Sequence, residues 1–143
     1  MTSNEARATT LVRALRAGIA RDQEALRGLL TDDVRAWTPN LSTSSLSELL
    51  DELDHRDDAF SDFELDASPL DVGGDYACVE WTVGMTHTGT ITLDGERSIE
   101  PSGTRVMAHG VTVAEFQGDR ICSLRQYWDE FGVLEQLDTA GDE

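Results

Sequence analysis

Lysine is missing from this chain altogether. All 11 basic residues are Arg, set against 28 Asp plus Glu, for a formal charge of −17. A duplex phosphate backbone is held by a cationic footprint, and an anionic lipid surface by clustered Lys and Arg. A chain this acidic offers neither, so neither nucleic acid nor a membrane is an expected partner. No run of 18 apolar residues occurs, which leaves no helix of bilayer-spanning length. The opening residues, MTSNEARATT, lack the apolar stretch of a secretory leader, and the expected compartment is the cytoplasm.

Cysteine and histidine are scarce as well. Cys78 and Cys122 allow one bridge at most, and each sits in a strand-like pattern where a reduced thiol behaves as a small hydrophobe. His55, His87 and His109 are isolated and no Cys-x-x-Cys occurs, so no metal site is expected. The glycine motifs that cradle phosphates, and the G-x-S-x-G nucleophile elbow, are absent. Zinc and nucleotide chemistry are therefore poor fits.

What is present suits one domain spanning 1–143. Hydrophobic residues make up 39% of 143, enough for a core without metal or disulfide staples. Ala8, Leu11, Val12, Leu15 and Ile19 recur at helical spacing, so the first segment is a helix. Asp22 is placed to cap a second, shorter helix carrying Ala25, Leu26, Leu29 and Leu30, which Asp32-Asp33 closes. Ser45-Leu46-Ser47-Glu48 has the form of a capping box ahead of an apolar stripe of Leu46, Leu49, Leu50 and Leu53. After residue 60 the period changes to two. Phe63, Leu65 and Ala67 alternate with acids, and Gly73-Gly74 marks a turn. Residues 76–87 put Ala77, Val79, Trp81, Val83, Met85 and His87 on one face. Asp94-Gly95 is a second turn, Pro101-Ser102-Gly103 a loop, 105–116 a long strand, Gln117-Gly118-Asp119 a turn and 121–128 the last strand. Glu130 to Leu137 closes the chain as a short helix or extension. Helices first and antiparallel strands after them make an α+β architecture, a curved sheet with helices on one face.

One face of the 105–116 strand carries Val106, Ala108, Gly110, Thr112 and Ala114, nearly all small. The volume they leave is filled by a closely packed helix or by a ligand.

Thr86-His87-Thr88-Gly89, Pro101-Ser102-Gly103, Val111-Thr112-Val113, Tyr127-Trp128-Asp129 and Leu134-Glu135-Gln136-Leu137 together resemble the SnoaL-like polyketide cyclases of the NTF2-like superfamily. The resemblance implies a cone: a strongly curved, mixed but mostly antiparallel sheet packed against N-terminal helices, a cystatin-like α+β roll with a pocket at its open end. It also implies a small hydrophobic carbonyl compound as ligand, no cofactor, and a homodimer formed through the outer sheet face, for which Met107, Val111 and Val113 are suited. Cyclases of this kind take a proton alpha to a carbonyl with an aspartate near the end of the last strand. Asp129 matches it, with His87 or His109 as hydrogen-bond donor to the enolate; capping of the segment from Glu130, or pairing with Arg125, is the structural alternative for Asp129. The candidate pocket residues are Trp37, Trp81, Met85, Thr112, Leu124 and Trp128, the two Trp and Met85 having a core role as alternative.

Two departures narrow the chemistry. The aspartates of ketosteroid isomerases correspond to Thr38 and Thr112, and a hydroxyl does not replace a carboxylate as base. In an ideal strand Asp129 shares a face with Tyr127 and Arg125, opposite Leu124, Gln126 and Trp128. A bulge is needed to bring both Asp129 and Trp128 inside. A non-catalytic binding or dimerising module is the competing function.

Overall fold

The computed structural model describes residues 3–55, 58–92 and 96–141. Helix α1 (Ser3–Ala20) buries Ala8, Leu11, Ala14, Leu15 and Ala17 along one stripe. Helix α2 (Gln23–Leu29) is capped as its sequence predicts, the Ala25 N–H donating to Asp22 Oδ1 at 3.1 Å. Strand β1 (Leu30–Thr38) and strand β2 (Leu41–Thr43) follow, then α3 (Leu46–Asp54). Strand β3 (Phe60–Leu70) and β4 (Tyr76–His87) form a long hairpin around Gly74, whose φ of +69° suits a residue without Cβ. A side hairpin of β5 (Ile91–Thr92) and β6 (Ser98–Ile99) precedes β7 (Arg105–Gln117), β8 (Arg120–Trp128) and α4 (Glu130–Gly141). The expected Asp94-Gly95 turn lies outside the described residues.

Six strands form one mixed sheet in the order β2-β1-β8-β7-β4-β3, in which only β1 and β8 run parallel. The helix-then-strand order therefore needs correction: β1 and β2 lie between α2 and α3. Asp32-Asp33 do not close a helix; they lie inside β1. The cause is a register shift, since Leu30 pairs with Ile121 but Arg35 already pairs with Ser123. That irregularity exposes two consecutive acids and erases the alternation that marks a strand.

The capping box at α3 also differs in one limb. Glu48 N–H donates to Ser45 Oγ at 3.1 Å, but the Glu48 carboxylate reaches the N–H and hydroxyl of Ser44, not the Ser45 amide. Leu46, Leu49 and Leu50 then bury against the core, with Leu53 at its edge.

The sheet has two unlike faces. Its inner face carries Ala77, Val79, Trp81 and Val83 of β4, Val106, Ala108, Thr112, Ala114 and Phe116 of β7, and Val34 and Ala36 of β1, all buried. These pack against the stripes of α1 and α3 as one core. Helix α4 adds Val133 and Leu137 and stitches itself to β7 where β8 has ended. There Gln136 accepts from the Met107 N–H and donates to the Met107 carbonyl, both at 2.9 Å, in place of a neighbouring strand.

Candidate functional site

Three strands bring the site together. Trp81 of β4 pairs with Gly110 of β7, which pairs with Trp128 of β8; one step along, Thr112 pairs with Gln126, and then Ala114 with Leu124. Side-chain alternation puts Trp81, Thr112, Leu124, Gln126 and Trp128 on the inner face. The Trp81 ring lies over Gly110, so the space left by the small residues of β7 is taken first by an indole. Trp81 Nε1 donates to Thr112 Oγ1 at 2.9 Å in a fully buried bond. Thr112 is 0% exposed, and its hydroxyl keeps its own proton to donate.

Leu124, Gln126 and Trp128 are only half-buried although they face inward. Leu124 and Trp128 pack against the edge of the core, on the same face as the buried Trp81 and Thr112. Gln126 is the member that sequence reasoning left out of the site; its parity with Leu124 and Trp128 was the signal available. Its amide can both donate and accept beside the Thr112 hydroxyl.

The other expected site residues fall elsewhere. Met85 and His87 are on the same face but four and six residues further along β4, at the end away from the Gly74 turn, where the β3–β4 register shifts. His87 is 0% exposed; its Nδ1 lies 3.0 Å from Ser102 Oγ, and its Nε2 is buried without a partner. His109 is on the outer face, exposed, with Nδ1 3.2 Å from Thr82 Oγ1. It lines an open depression of about 340 Å³ with Asp66, Ser68, Glu80 and Val111. Trp37 is outside too, 43% exposed, its ring centroid 5.1 Å from that of Tyr127. Even positions Leu30, Val34 and Ala36 of β1 are the buried ones, and Trp37, at an odd position, therefore points away from the interior.

Asp129 follows the last residue of β8 and is exposed. Its Oδ1 accepts the Gly132 N–H at 2.9 Å, capping the first turn of α4. The shift in β7–β8 pairing falls between Glu115 and Phe116, at the far end of the strands, so no bulge turns Asp129 inward beside Trp128. The Asp129 N–H pairs with the His109 carbonyl, while His87 pairs with Thr104. Thr104, just before β7, and His109 are five residues apart, about 16 Å at the rise of a strand. Asp129 and His87 therefore do not meet on one reacting atom. By the same measure Asp129 and Thr112 are about 10 Å apart along the strand.

Among the described side chains, those of 4–55, 58–92 and 96–137, every carboxylate is exposed except Glu115, which is half-buried on the outer face. No three His, Cys, Asp or Glu side chains among them converge as a metal site. Both cysteines are free. Burial, and then the charge of Glu80, push the Cys78 thiol up; burial and Glu115 do the same at Cys122. Neither is thereby tuned as a nucleophile. No described helix is long and apolar enough to cross a membrane.

Comparison with known proteins agrees with this architecture. Among solved structures, a polyketide cyclase-like protein from Acidithiobacillus ferrooxidans superposes with a TM-score of 0.81 at 21% identity, covering 98% of this chain and 99% of that one. A SnoaL-like protein from a Jannaschia species gives 0.79 at 17% identity, covering 96% and 95%. An LEH-like epoxide hydrolase from M. tuberculosis gives 0.71 at 15%, covering 99% and 96%. At these identities the likeness establishes the NTF2-like fold alone. No curated protein sequence matches. The model of the SnoaL-like polyketide cyclase domain matches residues 9–137, from α1 into α4, and the chain belongs to that family.

Proposed function

We propose that this chain receives a small hydrophobic carbonyl compound, of polyketide- or steroid-like character, on the inner face around Trp81, Thr112, Leu124, Gln126 and Trp128. It then acts on that compound as a cyclase or isomerase with no cofactor. The observation that carries the reading is the Trp81–Thr112 bond. An indole N–H donating to a hydroxyl polarises that hydroxyl as a donor in turn, and the surroundings are apolar enough to make such a bond strong. A ligand oxygen that displaces the side chains covering Thr112 gains a hydrogen bond as negative charge develops on it. The base in this reading is Asp129, which follows Trp128 and has to turn inward from its exposed position to meet a ligand seated on the inner face. To act, its carboxylate gives up the Gly132 N–H.

Thr112→Val tests the donor. Valine keeps the shape and removes the hydroxyl, so binding of a cyclic ketone should weaken about tenfold or more, the worth of one hydrogen bond in a dry site. Folding stability should also fall by about 1–3 kcal/mol, because Trp81 Nε1 is left buried and unpaired. Isothermal titration and urea melts read the two effects. Unchanged ketone affinity in a folded variant refutes the site.

A second reading, a non-catalytic binding module, is favoured by the exposure of Asp129 and its place in the α4 cap. The two readings share the pocket and differ only at that carboxylate.

The partner in either case is a second copy of the chain. The outer face presents Met107 and Tyr127, 44% and 47% exposed, with Val111 paired to Tyr127 and Val113 next along β7. An apolar patch of this kind on a sheet suits a self-complementary interface. Val111→Arg gains the neighbouring Glu80 in the monomer but places an unpaired charge in a dimer interface. The mass by light scattering should fall from dimer to monomer. A wild-type protein that is monomeric at high concentration overturns the interface.

A further inference from the structure

His87 is the one buried ionisable side chain among the described residues, and the Thr112 site does not use it. It closes β4 about 20 Å along the strand from Trp81. The loop 101–104 is folded around it. His87 N–H donates to the Thr104 carbonyl at 2.9 Å, and the Gly103 N–H donates to the His87 carbonyl at 2.8 Å. The backbone N–H of Ser102 donates to His87 Nδ1 at 3.3 Å, and Ser102 Oγ stands 3.0 Å from the same nitrogen. Phe60 lies against the ring, centroids 5.5 Å apart.

We infer that Ser102 holds His87 as the tautomer with its proton on Nε2, making His87 an obligate hydrogen-bond donor toward the interior. A hydroxyl donates or accepts as its partner requires, but a backbone amide only donates. The Ser102 N–H therefore makes Nδ1 the acceptor, and a neutral imidazole with an accepting Nδ1 carries its proton on Nε2. The Ser102 hydroxyl has other partners, accepting the Thr104 N–H at 3.3 Å and donating to Thr104 Oγ1 at 2.9 Å. Nε2 is buried with no partner. An unpaired buried donor is an exception that calls for a role, and the group that satisfies it is an acceptor such as a carbonyl or ether oxygen. In this tautomer His87 does not serve as the base. Ser102 is thus a positioning residue, and the ligand half of the inference rests on the carbonyl-binding reading above; the tautomer does not.

Side-chain nitrogen NMR of the labelled, ligand-free protein at mildly alkaline pH separates protonated from unprotonated ring nitrogens. His87 should show a protonated Nε2 and an unprotonated Nδ1. Ser102→Ala, which keeps the amide, should leave that pattern in place, and Ser102→Pro, which removes it, should give a mixture of tautomers. A protonated Nδ1 in the native protein, or a changed tautomer in Ser102→Ala, overturns the inference. If Ser102→Pro does not fold, the native protein and Ser102→Ala still decide it. Cyclohexanone as probe should shift the Nε2 signal saturably. No shift, with the tautomer as expected, overturns the acceptor site at His87 and leaves the Thr112 reading standing.

Discussion

Gly110→Ala should destabilise the protein by about 3 kcal/mol, at the upper end of the cost of overpacking a core. A Cβ at this position would press into the Trp81 ring and stand 2.5 Å from the Tyr127 carbonyl oxygen. The indole has some freedom to tilt, but the carbonyl belongs to the backbone of β8 and does not. For a chain near this length each kcal/mol lowers Tm by about 2–4 °C, so the drop should be about 6–12 °C. Trp81→Leu on the same background frees the space above Gly110 and should recover part of the loss, a coupling that two independent sites would not show. A melting curve that does not move would mean that Trp81 is not seated on β7, and the proposed binding face would then be misassigned.

Asp129→Asn should reduce turnover of a true substrate by about 10²–10⁴ while leaving stability almost unchanged. The first figure is the ordinary contribution of a positioned general base. The second follows because Asn caps a helix about as well as Asp, so the bond from the Gly132 N–H survives the change. Asp129→Ala differs in that respect. It should lose turnover equally and cost about 0.5–2 kcal/mol in addition, since the cap goes with the base. Steady-state kinetics beside urea melts separate the two roles of this one carboxylate. Full turnover in Asp129→Asn removes it from the chemistry, and the binding-module reading then stands.

Much of the architecture was legible beforehand because it rests on local rules. The stripe of α1, the Asp22 cap, the Ser45 bond at α3 and the alternation through β4, β7 and β8 need only neighbours in sequence. The inward set of Trp81, Thr112, Leu124 and Trp128 followed from parity, and parity also kept Asp129 apart from Trp128. Where the periodicity broke, the expectation broke with it. The shift at Asp32-Asp33 hid β1, and with it the parity that puts Trp37 outside. His109 was grouped with His87 as a donor, although the two side chains belong to opposite faces of the sheet.

The sequence by itself determined an acidic, lysine-free, α+β chain of one family, with a small-residue strand and a YWD ending, because composition and period are written residue by residue. Only the tertiary structure decided what fills the space above those small residues, that Gln126 joins Thr112, that Asp129 caps a helix, and that a loop amide aims at Nδ1 of His87. Each of these depends on strands and loops distant in sequence meeting in register, and the energy of such a meeting is a property of the pair that neither partner carries alone.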